Sequence, residues 1–211
     1  MNQLAGYWWP DTDTRGSRII SRDAEEDIAW FLSLVKGRSC VIQAGGNVGM
    51  YPIILADHFQ KVLTVEPDDT NFACLKANLA ARDSLRRVDA RKAAFGEGLG
   101  KCKVIEVERD NCGAHRIGVS NDGEGAPILS IDSFKLKPDA IWLDVEGFEL
   151  QALRGAADTI KKCKPVIVVE QKQLGRIYGY EDREVTDFLE QIGYTLVNKH
   201  KNDGAFKCLT V

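Results

Sequence analysis

The chain has 211 residues, 44% hydrophobic and 28% charged, a composition that suits one soluble globular domain with a sizeable core. Its net charge of -3 offers no bulk attraction to nucleic acid or to an anionic membrane surface. The N-terminus lacks a basic start followed by an apolar run, and no apolar stretch approaches the roughly 20 residues that cross a bilayer.

In chain order, the aromatic cluster Tyr7-Trp8-Trp9-Pro10 comes first. It has four readings: a lid, a stacking surface for an acceptor, a subunit contact, or core packing of a terminal arm. Asp23 with Glu26 resembles a capping box. Ile28, Phe31, Leu32 and Val35 then recur at helical spacing, with Gly37 as a stop. Short apolar runs at Cys40–Ala44, Val62–Val65, Ala140–Leu143 and Pro165–Val169 read as buried parallel strands. Helices are predicted around Tyr51–Phe59, Thr70–Ala81, Glu149–Ile160 and Glu184–Ile192. A third parallel strand is expected near Val88–Ala93, followed by irregular or hairpin structure over Ala94–Ile131. The chain ends in two strand-like runs, Tyr194–Lys199 and Ala205–Val211, around the turn signal Lys201-Asn202-Asp203-Gly204.

Alternating strands and helices predict a doubly wound, mostly parallel sheet with helices on both faces and a C-terminal antiparallel hairpin. No repeat or linker divides the chain. One domain is expected over 1–211, with an N-terminal arm and helix over 1–37 and the core over 38–211. The six cysteines include no CxxC pair, and they read as small hydrophobes in a reducing cytoplasm. Scattered cysteines and three histidines supply no zinc ligand set.

The chemistry concentrates at strand ends. The first strand runs through Gln43 and Ala44 into Gly45-Gly46-Asn47-Val48-Gly49, and glycine there lets a ligand approach the main chain. The second strand ends at Glu66-Pro67, where a carboxylate can accept hydrogen bonds from both ribose hydroxyls. These two features fit a nicotinamide dinucleotide or S-adenosylmethionine. The GxGxxG spacing would need a third glycine at Met50 or Pro52, and neither is glycine. Ala93 and Ala94, after the third strand, are small enough to pack on an adenine, or simply to pack closely.

Asp144 and Glu146 sit where the fourth strand gives way to a helix, a place where the helix dipole alone favours acids. Glu170 ends the next strand and would face the same crevice. Three such carboxylates can orient a hydroxyl, act as a general base, or hold a divalent cation, and no ligand pattern in the sequence supports the metal. His115, in the loop Asn111-Cys112-Gly113-Ala114-His115, is the one histidine placed to act as a base. His58 lies in a helix, and His200 beside the hairpin reads as solvated.

The block Ile141-Trp142-Leu143-Asp144-Val145-Glu146-Gly147-Phe148-Glu149-Leu150-Gln151-Ala152-Leu153-Arg154-Gly155-Ala156 resembles the signature of the FkbM family of methyltransferases. The pattern is also matched by Gly45–Gly49, by Val65-Glu66-Pro67, by Leu129-Ser130-Ile131-Asp132-Ser133-Phe134 and by Val168-Val169-Glu170, over about residues 38 to 195. Two positions depart from it. Gln43 stands where the family has Asp, and Trp142-Leu143 replaces the usual Lys before Asp144.

The resemblance implies a Rossmann-like methyltransferase fold and methyl transfer from S-adenosylmethionine to an oxygen on a small molecule or saccharide. It implies that Gln43, Ala44, Gly45, Gly46, Asn47, Gly49, Glu66, Pro67, Ala93 and Ala94 line the cofactor. Asp144 would lie beside the transferable methyl, with Glu146, Glu170 and His115 as further candidate catalytic groups. The rival readings are a nicotinamide-dependent oxidoreductase and a non-catalytic binding module that keeps the fold. Composition argues against nucleic-acid and membrane partners, and a homodimer is compatible with the sequence.

Overall fold

The computed structural model describes residues 1–82, 86–98 and 100–209. A hairpin of β1 (Asn2–Leu4) and β2 (Tyr7–Trp9) leads into helix α1 (Gly16–Leu34). Five parallel strands follow: β3 (Cys40–Ala44), β4 (Lys61–Val65), β5 (Val88–Arg91), β10 (Ala140–Leu143) and β11 (Val166–Glu170). The sheet is completed by the hairpin of β12 (Tyr194–His200) and β13 (Asp203–Cys208), with β13 antiparallel to β11. Its order is β12-β13-β11-β10-β3-β4-β5, seven strands and mostly parallel.

Side chains alternate across these strands and fill two cores. Val41, Ala140, Trp142 and Val168 face one way, against α1, α2 (Met50–Ala56) and α3 (Asp69–Ala80). Ile42, Ile141, Leu143, Ile167 and Val169 face the other way, against α4 (Glu149–Arg154), α5 (Ala157–Cys163) and α6 (Asp182–Gln191). Trp142 is 3% exposed and stacks on Phe31 at 4.7 Å. Among the described residues no helix is long and apolar enough to cross a membrane, and no disulfide forms.

Several expectations change. The first helix starts at Gly16, so Asp23 and Glu26 lie inside it. The side chain that serves its start is Asp13, which accepts from Ser17 N at 2.7 Å. The helix expected over Glu149–Ile160 is two helices. Asp132 accepts from Asp158 N and Thr159 N and so starts α5 afresh, while Ser130 Oγ and Asp132 N both donate to the Gly155 carbonyl. A Cβ at Gly155 would overlap the carbonyl oxygen of Gly96. The stretch Ala94–Ile131 contains a second sheet of β6 (Ala94–Phe95), β7 (Lys101–Ile105), β8 (Arg116–Ser120) and β9 (Ala126–Leu129), in the order β6-β9-β7-β8. Its strands are two to five residues long, with glycines mostly in the turns between them, so no sustained period-2 pattern announces them.

The terminal hairpin turns on Lys201-Asn202, because His200 pairs with Asp203 and Lys201 takes φ +52°. Residues 210–211 of the last predicted strand lie outside the described residues. The aromatic cluster packs on α3. Trp9 is 1% exposed, and Trp8 exchanges backbone hydrogen bonds with the Asn78 amide at 2.7 and 2.9 Å.

Gly155→Ala is expected to lower the free energy of unfolding by about 2–3 kcal/mol, since backbone must move to admit the methyl. Urea denaturation measures it, and a variant as stable as the wild type would contradict the close approach.

Candidate active site

A cleft of about 360 Å³ opens at the carboxyl ends of β3, β4, β10 and β11, where open α/β sheets bind ligands. Adjacent strand tips are in register, Ala44 beside Val65 and Leu143, and Leu143 beside Val169. Each loop leaving a strand therefore delivers its side chains to the same crevice.

One end of the cleft is built on the glycine turn. Gly45 has φ +85°, and a Cβ there would overlap the Asp144 carbonyl, so only glycine lets the two strand ends approach. Gly49, at φ +93°, starts α2. Gly46 N donates to Val65 O at 2.8 Å. Glu66 is 6% exposed and holds the turn: Oε2 accepts from Asn47 N at 2.7 Å and Oε1 from Asp68 N at 2.9 Å. Burial pushes its carboxyl up to about 7 despite these two amides. A carboxylate offers about four lone-pair sites, so two remain for hydroxyl donors.

Gln43 is buried beneath the turn. Its amide nitrogen donates to the carbonyls of Ala44 at 3.1 Å and Gly45 at 2.9 Å, and its oxygen accepts from Thr64 Oγ1 at 2.6 Å. A neutral amide thus braces the turn through backbone carbonyls. Gln43, Gly45, Gly46, Asn47, Glu66, Pro67 and Ala94 all reach the cleft wall. Ala44 and Ala93 do not: both are fully buried among core side chains, Ala44 on the Ile42 face of β3 and Ala93 in the bend between β5 and β6. Gly49 also stands off the wall, where a Cβ would meet Leu75.

His115 joins this end. Its Nδ1 lies 3.1 Å from Asp68 Oδ2, and that hydrogen bond raises its pKa. Asp68 also accepts from Thr70 N and Asn71 N at the start of α3. The 111–115 loop is seated by Asn71 Nδ2 donating to Cys112 O and by Cys112 N donating to Asp13. Nothing in sequence spacing joins Asp68 to His115, 47 residues later.

The other end is acidic. Asp144, Glu146 and Glu170 bring carboxylate oxygens within 4.8 Å of one another, and Lys172 lies 2.6 Å from Glu170 and 3.2 Å from Glu146. Burial first, then the Asp144 charge, raises both glutamates above the ordinary carboxylate range. Asp203, on the hairpin, shares the cleft and is pushed up to about 8 by burial and then by Asp144. Tyr51 closes the far wall. Its hydroxyl donates to Asp27 at 2.6 Å, and Asp27 also meets His200 Nε2 at 2.8 Å and Lys201 Nζ at 2.6 Å. His200 is therefore a half-buried partner of Asp27 and not a freely solvated residue. Sequence reading missed Lys172, Asp203, Asp27 and Tyr51. Lys172, two residues past Glu170, was the one with a local signal.

A family model described as the methyltransferase FkbM domain matches residues 43–196. The chain belongs to the FkbM methyltransferase family. Among solved structures it is similar to an FkbM methyltransferase from Methylobacillus flagellatus KT, with 20% identity and a TM-score of 0.60 over 83% of this chain. That overlap covers 45% of the Methylobacillus protein, so this chain spans less than half of its length. It is also similar to magnesium protoporphyrin IX methyltransferase from Synechocystis PCC 6803 with bound SAM, at 12% identity and TM-score 0.54, over 93% of this chain and 85% of that one. A ribosomal protein L11 methylase from Lactobacillus delbrueckii subsp. bulgaricus gives 11% identity and TM-score 0.54, over 95% and 83%. At such identities the likeness is one of fold. Curated proteins offer no match.

Inside the FkbM signature, Glu149 is structural. It is 4% exposed, and its Oε1 accepts from Val145 N at 3.2 Å and Gly147 N at 3.1 Å, folding the carboxylate-bearing loop. Burial raises it to about 7. An acid raised in the folded state gives stability that is present below its unfolded pKa and lost as pH rises through the folded one. Stability should therefore fall between about pH 4.5 and 7. Glu149→Gln keeps the acceptor oxygen without the charge, and should gain on the wild type by up to about 3 kcal/mol across that window. Unfolding curves that stay parallel with pH would contradict this.

Proposed function

We propose that this FkbM domain transfers a methyl group from S-adenosylmethionine to an oxygen on a small-molecule or saccharide acceptor. The observation that carries the reading is the single cleft with a glycine turn and Glu66 at one end and Asp144, Glu146 and Glu170 at the other. The residues suit the cofactor. Gly45, Gly46 and Asn47 expose main chain where its methionine part would lie, and Glu66 keeps two lone-pair sites for ribose hydroxyls. Ala94 is a small residue in the cleft lining, where the adenine would pack.

When bound, S-adenosylmethionine supplies a methyl group already activated on a positively charged sulfur. The chain's work is alignment, water exclusion and handling of the acceptor proton. Asp144 is exposed to the cleft and can accept from an acceptor hydroxyl. Glu146 and Glu170 flank it. His115, oriented by Asp68, stands at the ribose end and serves there as a hydrogen-bond donor or proton carrier. We read residues 1–211 as one domain, its 1–37 arm packing on the core, and the net charge favours acceptors other than nucleic acid.

Saturation with S-adenosylhomocysteine at about 100 times its dissociation constant adds roughly 2.7 kcal/mol, which is roughly 5–10 °C of thermal shift for a domain of this size. NAD is expected to give no shift, and the reverse pattern would favour an oxidoreductase. Glu66→Ala should weaken S-adenosylhomocysteine about ten- to a hundredfold by calorimetry, because two charge-assisted hydrogen bonds go. In the wild type the affinity should fall as pH drops through about 7, where Glu66 takes up its proton. Unchanged affinity in Glu66→Ala would end the ribose assignment.

A further inference from the structure

Three carboxylates whose oxygens lie within 4.8 Å of one another repel strongly unless a positive charge sits among them. Water screens the Glu146 and Glu170 pair little, because their side chains are 12% and 9% exposed, whereas Asp144 is open to the cleft. The positive charge is Lys172. Its ammonium bridges Glu170 Oε1 at 2.6 Å and Glu146 Oε1 at 3.2 Å. Asp144, Glu170 and Glu146 together hold the lysine above its ordinary value against the cost of burial, so the ammonium stays charged.

The backbone fixes this arrangement. Glu146 takes φ +50° and Gly147 φ +104°, and a Cβ at Gly147 would collide with the Leu174 carbonyl. The loop after β10 is thus pressed against the loop after β11, and the Lys172 side chain spans the two. Glu146 and Glu170 are committed to the lysine. Asp144 has no hydrogen-bond or ion-pair partner for its carboxylate among the described residues.

We propose that Lys172 is a positioning residue: a built-in cation that bridges Glu146 and Glu170, does there the work a divalent ion would otherwise do for the cluster, and leaves Asp144 as the carboxylate that meets the acceptor. The ammonium offsets one of the cluster's negative charges without adding a Lewis acid, and it ties two strand-end loops into one wall. The role given to Asp144 rests on the methyl-transfer reading, whereas the cation place rests on geometry alone.

The test is a titration of the full chain with Mn²⁺, followed by loss of the free-ion EPR signal. Wild type should bind no Mn²⁺ up to about 1 mM, the weak end of oxygen-ligand sites. Lys172→Met should bind one ion per chain, and Glu170→Gln added to it should abolish that binding. Lys172→Arg restores the cation and should again exclude Mn²⁺. Lys172→Gln carries the same expectation as Lys172→Met should the latter fold poorly, with circular dichroism melts reporting folding. Mn²⁺ binding to the wild type that Glu170→Gln removes would overturn the proposal. So would folded Lys172→Met and Lys172→Gln proteins that bind no ion. S-adenosylhomocysteine affinity of the wild type, measured on the same sample, judges the methyl-transfer reading separately.

Discussion

The close approach of two backbones, at Gly45 and Asp144, is the constraint on which the rest depends. Asp144 N donates to Ala44 O at 3.2 Å, and the Asp144 carbonyl fills the space that any side chain at residue 45 would need. The two strands are in register up to that point. Because the turn and the carboxylate loop share one seam, they cannot drift apart, and the cleft inherits a fixed distance between its two ends. Preorganisation of this kind is what a transfer reaction needs, since the acceptor must be held in line before reaction.

The two ends solve different electrostatic problems. At the glycine-turn end a nearly buried acid is balanced by backbone amides of Asn47 and Asp68, which are dipoles and not charges. At the acid-rich end the balance comes from whole charges, with Lys172 among the strand-end carboxylates and Lys201 beside Asp27. Gln43 belongs to the first pattern. It steadies the turn by neutral hydrogen bonds to carbonyl oxygens, so this wall carries one negative charge fewer than the family pattern, with Asp at that position, would place there. In the FkbM frame the charge of the cleft is thus concentrated beyond the turn.

Much of the site was legible in the sequence because its parts are local. Gly45, Glu66, Asp144 and Glu170 each sit at the end of a short apolar run, and a parallel sheet brings such ends together whatever lies between. The Leu129–Phe134 motif was legible as a match but not as a mechanism, since its Asp132 works by capping a helix 26 residues later. The broken helix at Gly155 was hidden for the same reason: the periodicity continues, and only the carbonyl of Gly96 and the donors from Ser130 and Asp132 interrupt it. The β6–β9 sheet, the Asp68–His115 pair and the wall around Asp27 all depend on contacts between distant segments, about which spacing is silent. Ala93 and Ala94 show the limit of resolution. Of these adjacent residues of one type, Ala93 lies wholly in the core and Ala94, at the start of β6, reaches the cleft as well, a difference no composition signals.

Tyr51 and its partners carry a further consequence. Asp27 comes from the first helix, and His200 and Lys201 come from the end of β12 and the turn after it, 173 and 174 residues away. The glycine turn and Glu66 are joined over only 19 residues. Closing the longer loop costs more chain entropy, so the wall around Tyr51 draws on contacts that span most of the fold, whereas the glycine turn is a local assembly. A molecule bound against that wall would therefore act as a clasp between the first helix and the terminal hairpin, since binding to the folded state alone holds both in place.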